Sequence, residues 1–363
     1  MTTIKQIMRD FGPQYIQRFG QTMPDQHRRA IDAIAHCRTD FFGAIVYRCQ
    51  NCAKNHLVYR CCGNRHCPNC QSHKTRKWLE NRLDGMLPVH HFMITFTVPD
   101  SIRSFIRSNQ RLAYAAMFAA SSQTLKKLAK DKKFIGADLS GFFGVLHTWG
   151  RTLSYHPHIH YIVPGGALSK ADQRWHPSRK DFFLPVRAMS KIFKAKFFNE
   201  MKKAGLASKI CPDVWRQAWV VNCQAVGTGA NSVKYLAPYV FKVAISNNRI
   251  VKLDDGKVFF RYKKSGSNRW RTMALQVMEF IRRFCQHVLP SGFMKVRYYG
   301  FMNPASSIAM DKIAKCIALS FAVVKSAKIE PPSRIWPKCT ECGGRLIYYA
   351  SIVPYCLPAS GTR

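Results

Sequence analysis

Two histidines and two tyrosines are the residues whose types and spacing could carry chemistry in this chain. His158 and His160 are separated only by Ile159, in a segment rich in β-branched and aromatic residues. Side chains alternate between the two faces of a strand, so both imidazoles would lie on one face, with Ile159 in the core behind them. Two imidazoles on one face can clamp a divalent metal ion. A bare His-x-His on a strand, however, is more often a surface pair or a hydrogen-bonded pair than a metal site.

The tyrosine pair lies downstream in a segment with helical periodicity. Tyr235 and Tyr239 are four residues apart, so their hydroxyls would share one helix face, with Asn231 one turn before them. A tyrosine hydroxyl that attacks phosphorus forms a phosphotyrosine, which conserves the energy of a broken DNA strand for rejoining. The alternative is that both tyrosines are packing aromatics, and Pro238 between them predicts a kink in the helix.

The elements that must position these residues follow the order β-α-β-β-α-β-α. The predicted strands and helices of this series are 91–98, 102–130, 141–148, 156–163, 188–204, 215–226 and 231–243. This is the order of a ferredoxin-like split βαβ with one added helix. We therefore predict an α+β fold whose core is a ferredoxin-like antiparallel sheet.

The remaining segments give weaker indications. We expect one or two helices over 4–36, a helix over 71–86, a hairpin over 250–263 that turns at Asp255-Gly256, and a helix over 273–288. From Pro331 onward the chain is rich in Pro, Gly and Ser, which predicts a loosely ordered tail apart from one cysteine pair.

Cysteine usage predicts a zinc-binding segment near the N-terminus. Seven of the 14 cysteines lie between Cys37 and Cys70, and the chain does not begin with a signal-peptide pattern, so metal binding is favoured over disulfides. Cys49-x-x-Cys52 and Cys67-x-x-Cys70 have the spacing of a zinc ribbon or finger, in which two pairs hold one tetrahedral ion. The residues left over for a second ion are Cys37, His56, Cys61, Cys62 and His66.

A further pair, Cys339-x-x-Cys342, has only Cys356 nearby as a third ligand. It is either half of a zinc site or an unliganded turn.

The formal net charge of +38 makes nucleic acid the leading partner, because so basic a surface repels itself unless a polyanion is close. Lys234 and Lys242 flank the tyrosines, and Arg151 lies in the turn between two strands, so these three are candidate DNA-binding residues. No apolar run is long enough to predict a membrane span. We expect a cytoplasmic protein, associated with the nucleoid in a bacterial host.

Several segments together resemble the rolling-circle transposases of the insertion sequence 91 family, which are HUH endonucleases. The matching segments are LHTWG (146–150), HPHIHYIVPGG (156–166), YLAPYVFK (235–242) and VRYYGF (296–301). The cysteine stretch over 37–70 is similar to the N-terminal zinc-binding domain of that family. The resemblance implies three regions: 1–75 with a helical start and the zinc-binding domain, 76–305 as the HUH catalytic domain, and 306–363 as a tail.

The same resemblance implies roles for individual residues. His158 and His160 would hold a catalytic Mg²⁺ or Mn²⁺, with Asn231 or His147 as the third ligand, and Tyr235 and Tyr239 would be paired nucleophiles. The structural zinc ligands would be Cys37, Cys49, Cys52, Cys62, Cys67 and Cys70. The implied reaction nicks and rejoins single-stranded DNA through a 5′-phosphotyrosine, and host replication machinery extends the free 3′ end.

Three other functions compete with this one. A plasmid replication initiator or relaxase would use the same chemistry, but the cysteine block and the lack of a helicase motif favour a transposase. A nuclease or transposase with three clustered carboxylates is disfavoured, because the chain has only five glutamates. A non-catalytic zinc protein that binds DNA or RNA would leave the histidine and tyrosine pairs as coincidences.

Overall fold

A computed structural model describes residues 2–241, 244–264, 267, 269–320 and 337–353 of the chain. The α-helices in chain order are α1 (Ile4–Phe19), α2 (Asp25–Ala35), α3 (Ser72–Asp84), α4 (Arg103–Ser108), α5 (Gln110–Lys130), α6 (Val186–Lys203), α7 (Asp213–Arg216), α8 (Ala230–Phe241), α9 (Val277–Cys285) and α10 (Met310–Ser320). Among these residues, no helix has both the length and the apolar character that a membrane span needs.

The strands outnumber the helices and are mostly short. They are β1 (Ala44–Cys49), β2 (Asn55–Tyr59), β3 (His91–Thr97), β4 (Phe142–Trp149), β5 (Tyr155–Pro164), β6 (Gly166–Leu168), β7 (Trp175–Pro177), β8 (Val220–Ala225), β9 (Ile250–Asp254), β10 (Lys257–Lys263), β11 (Trp270–Gln276), β12 (Val296–Tyr299) and β13 (Leu346–Ile352).

The chain divides into two compact units, each built from separate stretches of sequence. The first comprises Met1–His73, Phe241–Val288 and Lys328–Arg363, and the second comprises Lys74–Val240 and Leu289–Ala327, in both cases as far as the described residues go. The expected regions 1–75, 76–305 and 306–363 remain a prediction.

The second unit is built on a five-stranded sheet in the order β12-β4-β5-β3-β8, with every neighbouring pair antiparallel. Its first four strands in the chain, with α5 and α6 between them, give the ferredoxin-like order β-α-β-β-α-β. The strand β12 adds a fifth member at one edge. The α+β fold and the ferredoxin-like antiparallel sheet predicted from the sequence are therefore confirmed.

One face of this sheet is covered by α5 and α6. The main hydrophobic core lies between this face and the two helices. Ile159 and Tyr161 of β5 contribute to this core and are completely buried. Alternation along β5 then forces His158 and His160 onto the opposite face. The sheet register thus separates an apolar face, which holds the fold together, from a face that carries polar side chains.

A glycine turn allows α8 to start close to β3. Gly229 has a φ of +76°, and a Cβ on it would lie 2.9 Å from the Cβ of His91. The backbone N–H of His91 donates to the carbonyl of Gly227 (2.7 Å), and the N–H of Val226 donates to the carbonyl of His91 (2.9 Å). Only glycine fits this backbone conformation and this spacing, so the start of α8 is fixed against the first residue of β3.

The first unit holds two small antiparallel sheets, β11-β10-β9 and β13-β1-β2. Helix α1 packs against α2 and α9. The predicted hairpin is confirmed: β9 and β10 pair around Asp255 (φ +46°) and Gly256 (φ +65°), the left-handed pair of residues that a tight hairpin turn requires.

Three predicted elements differ from those observed. The helix expected over 102–130 is broken at Asn109, whose side-chain amide donates to the carbonyl of Phe105 (3.0 Å). The strand expected over 215–226 begins only at Val220, because α7 and the packing of Trp219 on Phe197 occupy its first part. The helix expected over 273–288 starts only at Val277, because residues 273–276 belong to β11, whose alternating burial suits pairing with β10.

The pH dependence of stability should report the burial of His91. The side chain is fully buried, and this burial lowers its pKa to about 4. A histidine with a depressed folded-state pKa contributes stability above its unfolded pKa and loses it as the pH falls. The loss from His91 between pH 7 and pH 5 should be about 2 kcal/mol. We expect His91→Leu to remove this component in denaturant titrations at both pH values.

His73→Leu provides the matched control, since His73 is exposed on α3. It should retain the full wild-type pH dependence. An unchanged pH dependence in His91→Leu would contradict the buried, neutral state of His91.

Candidate active site

Three imidazoles meet on the sheet face opposite the main core. His147 of β4 stands directly across from His158 of β5, and His160 follows on the same face. Their ligand nitrogens all lie within 4.8 Å of one another. The ring centroids of His158 and His160 are 4.7 Å apart, and those of His147 and His160 are 4.6 Å apart. The prediction that His158 and His160 share one face is confirmed.

Hydrogen bonds set the orientation of two of these rings. The Nδ1 of His158 lies 2.7 Å from the carbonyl oxygen of His156, and since a carbonyl only accepts, this nitrogen carries the proton. Its Nε2 therefore keeps a lone pair. The Nδ1 of His160 lies 2.9 Å from the hydroxyl oxygen of Thr95 on β3, which can accept in the same way. Such a partner on the far nitrogen is the arrangement that fixes the tautomer of metal-binding histidines.

The imidazoles are neutral at physiological pH. Burial lowers the pKa of His147 and His158 well below the usual value, and the neighbouring His160 adds to the effect in both. Burial also lowers the pKa of His160 to about 4. Neutral imidazole is the form that binds metal. Three neutral nitrogen donors within this distance fit a divalent metal ion, and among the described residues no carboxylate belongs to the group.

Helix α8 brings one tyrosine to this cluster. The ring centroid of Tyr235 is 6.5 Å from that of His160, and its side chain is 51% exposed. The apolar residues Val233, Leu236 and Ala237 of the same helix are buried, so Tyr235 lies on the face of α8 that solvent and substrate can reach. Tyr239 also belongs to α8, but its side chain lies outside the described part of the structure.

The remaining predicted site residues are Asn231 and the three candidate DNA-binding residues. Asn231 is exposed at the second residue of α8, whereas the third side chain beside His158 and His160 is that of His147. Lys234 and Arg151 are exposed, and Lys242 lies outside the described residues.

An aromatic and a cationic side chain border the histidine cluster. Trp149 stacks on His147, with ring centroids 4.8 Å apart and planes at 18°. The ammonium of Lys295 lies 4.7 Å from the centroid of the Trp149 ring. A flat aromatic beside a positive charge is the combination that binds an unpaired base together with its phosphate.

Four cysteines of the first unit form a separate group. The sulfurs of Cys37, Cys62, Cys67 and Cys70 lie within 4.8 Å of one another, whereas the neighbouring Cys61 is exposed and outside the group. Hydrogen bonds from Cys62 lower the pKa of Cys37, and the same contact raises the pKa of Cys62. The sulfurs thus compete for negative charge, which a cation at their centre would relieve.

The two CxxC pairs do not share one site, contrary to the expectation from their spacing. Cys49 and Cys52 instead group with Cys339 and Cys342. The β1–β2 hairpin explains the separation. The group that contains Cys37 and Cys62 lies at the open end of this hairpin, where the N–H of Arg38 donates to the carbonyl of Arg60. Cys49 lies at the turn of the hairpin. Five residues of strand span roughly 17 Å, too far for one ion.

Thr95 is the site residue that the sequence reasoning missed. It occupies a polar position in the alternating segment HFMITFT, with His91, Met93 and Thr97 on the same face. Polar residues at three of these four alternate positions, in an otherwise apolar strand, were the available signal that this face carries a site.

Comparisons with known proteins match both units of the chain. Residues 141–308 match a family described as "Putative transposase", and residues 7–98 match one described as "Transposase zinc-binding domain". The "Putative transposase y4qJ" of Sinorhizobium fredii is 35% identical over 91% of this chain and 89% of its own length. The "Transposase for insertion sequence element IS801" of Pseudomonas savastanoi pv. phaseolicola is 27% identical over 87% of this chain and 82% of its own. No solved structure matches the chain.

The adjacent Cys61 and Cys62 offer a matched test of the first cysteine group. Because Cys62 lies in the group and Cys61 does not, we expect Cys62→Ala to lower the zinc content by about one ion per chain and Cys61→Ala to leave it unchanged. Elemental analysis of the purified full-length proteins measures this difference. Equal zinc contents in the two variants would contradict the assignment.

Proposed function

The chain belongs to the insertion sequence 91 family of transposases, and on this premise we propose that it nicks and rejoins single-stranded DNA through a 5′-phosphotyrosine intermediate in rolling-circle transposition. The observation that carries the proposal is the position of Tyr235, whose ring lies 6.5 Å from that of His160 at the three-histidine cluster. A nucleophile and a metal-binding group on the same face are what a strand transfer to tyrosine requires.

Tyr235 provides the attacking oxygen in this proposal. Its Oη forms a bond to the scissile phosphorus, and the bond from phosphorus to the 3′ oxygen of the upstream strand breaks. The phenol loses its proton and the departing 3′ oxygen gains one, so the products are a 5′-phosphotyrosine and a free 3′-OH. One phosphate ester replaces another, and rejoining therefore needs no nucleotide cofactor.

His147, His158 and His160 would hold the catalytic cation. When bound, a divalent ion polarises the scissile phosphate and neutralises charge that develops on it. Three nitrogen donors favour Mn²⁺ over Mg²⁺, since Mg²⁺ prefers oxygen ligands. The role of the histidines is to keep their lone pairs free of protons near neutral pH. Asn231, one turn before Tyr235, is the other candidate for the third ligand.

DNA binding uses the positive surface of the chain. With a net charge of +38, phosphate contacts dominate the affinity, and Lys234, Lys242 and Arg151 are the contacts we place nearest the reaction. Trp149, stacked on His147, offers its ring to an unpaired base beside the scissile phosphate. Host replication machinery extends the free 3′-OH, which places the reaction in the cytoplasm at the nucleoid.

Tyr239 acts as the second nucleophile. It lies one helical turn after Tyr235 on α8, so the two hydroxyls can act in succession on two strands. A second phosphotyrosine allows the target or the other end of the element to be opened and joined without loss of bond energy.

A covalent protein–DNA band on a denaturing gel tests the nucleophile. With labelled single-stranded oligonucleotides from the ends of the element and Mn²⁺, we expect wild type to form the adduct. Tyr235→Phe should lower the initial cleavage by about a thousandfold or more, because the attacking oxygen is absent. Tyr239→Phe should retain that first adduct and lose strand transfer.

Tyr262→Phe is a control, because this tyrosine lies on β10 of the other compact unit. It should form the adduct at the wild-type rate. A full-strength adduct in the Tyr235→Phe, Tyr239→Phe double variant would contradict the mechanism. Cleavage of a plasmid origin in preference to the element's ends would instead indicate a replication initiator or relaxase.

The hydroxyl of Thr95 should act by positioning His160. Removing it in Thr95→Val should raise the Mn²⁺ concentration for half-maximal cleavage by about 10- to 100-fold, the usual cost of losing a hydrogen bond behind a metal-binding histidine. Thr95→Ser retains the hydroxyl and should remain near wild type.

Thr124→Val serves as the control for Thr95→Val, because the same substitution there removes a hydroxyl that donates to the carbonyl of Ala120 on α5 and has no contact with His160. Its Mn²⁺ requirement should not change. If both valine variants shift this requirement equally, Thr95 has no specific role.

A further inference from the structure

Two cysteine turns from distant parts of the sequence face each other in the first unit. Cys49 and Cys52 belong to one, and Cys339 and Cys342 to the other, and their four sulfurs lie within 4.8 Å of one another. The Sγ atoms of Cys49 and Cys342 are 3.4 Å apart, and those of Cys52 and Cys339 are 3.8 Å apart. These distances are far longer than the roughly 2.05 Å of a disulfide and suit four sulfurs around one ion.

The two turns have the same backbone geometry. In the first, the N–H of Ala53 donates to the carbonyl of Cys49, and the N–H of Cys49 donates to the carbonyl of Lys54. The second repeats this pattern, with N–H donation from Gly343 to Cys339 and from Cys339 to Gly344. The residue after each second cysteine has a positive φ: +55° at Ala53 and +71° at Gly343. Two matching knuckles that face each other supply one sulfur pair each.

Hydrogen bonds to sulfur prepare these thiols to carry negative charge. The N–H of Asn51 lies 3.4 Å from the Sγ of Cys49, and the Nε2 of His56 lies 3.2 Å from the Sγ of Cys339. Donors directed at sulfur stabilise the thiolate, which is the form that binds metal.

The surroundings hold the knuckles close together. A Cβ on Gly344 would lie 2.8 Å from the Sγ of Cys49, so this position admits only glycine. Lys54 of one knuckle forms an ion pair with Glu341 of the other. Beyond the cysteines, β13 pairs with β1 along Ala44–Cys49.

Among the residues that the structure describes, the apolar packing at this place is small. Its buried members are Cys49, Cys339 and Leu346, with Tyr47 packed against them. A cluster of this size cannot hold a separate stretch of chain by hydrophobic burial alone, and a bound metal commonly supplies the missing free energy.

We propose that Cys49, Cys52, Cys339 and Cys342 bind a second structural zinc ion, which fastens residues 337–353 of the tail to the β1–β2 hairpin. Cys339 and Cys342 lie outside both segments that match the transposase families, 7–98 and 141–308. The site is separate from the Cys37 group and joins parts of the chain almost 300 residues apart. Its role is to complete the three-stranded sheet.

Zinc content of the full-length protein tests the site directly. We expect two zinc ions per wild-type chain and one in the Cys339→Ala, Cys342→Ala double variant. The control Cys211→Ala, Cys316→Ala removes two cysteines that belong to neither group, and it should keep two ions. The triple variant Cys62→Ala, Cys339→Ala, Cys342→Ala should keep no zinc ion. Two ions in the Cys339→Ala, Cys342→Ala variant would overturn the proposal.

Thiol alkylation of the wild-type protein gives a second measurement that does not depend on the folding of a variant. Cys339 and Cys342 should react slowly with iodoacetamide as purified and quickly after zinc is removed by a chelator, and hydrogen exchange in β13 should rise at the same time. Fast alkylation before chelation would overturn the proposal. A second result would also overturn it: a protein mass lower by two hydrogens for each cysteine pair, which persists with chelator and disappears on reduction. Such a mass indicates disulfides.

Discussion

The burial of three neutral imidazoles on one side of an antiparallel sheet is the constraint on which the rest of the site depends. Alternation along β5 commits Ile159 and Tyr161 to the core and thereby places His158 and His160 on the other face. Desolvation keeps the rings uncharged, and hydrogen bonds to their far nitrogens direct the remaining lone pairs. The stability of the core and the geometry of the histidine cluster therefore come from the same strand, and a shift of register by one residue would destroy both.

The tyrosine helix depends on that sheet through a glycine turn. Gly229 lets α8 begin against His91, and this contact sets where Tyr235 stands relative to His160.

The first unit is stabilised in a different way. Its described sheets are small, and its cysteines form two groups of four sulfurs, so metal ions bound there would stabilise this unit as the large core stabilises the second.

Local patterns made the centre of the fold predictable. The alternation around His158-Ile159-His160 and the spacing of Tyr235 and Tyr239 depend only on neighbours in sequence. The ferredoxin-like order followed from the series of predicted strands and helices, which also depends on local patterns. The partner of a candidate residue could not be predicted where it depends on the pairing of distant strands. Cys339 and Cys342 join Cys49 because β13 pairs with β1, and no local pattern encodes that partner. Likewise β11 has apolar residues that suit a helix as well, and only its pairing with β10 decides between them.

Mass spectrometry of the protein–DNA adduct is the most direct test of the central claim. Trypsin cleavage after Lys234 and Lys242 leaves both tyrosines on one peptide, YLAPYVFK. After nuclease digestion of the DNA, we predict that this peptide carries a 5′-phosphonucleotide and that fragmentation places it on Tyr235 in the first cleavage. A nucleotide attached to any peptide other than this one would contradict the account.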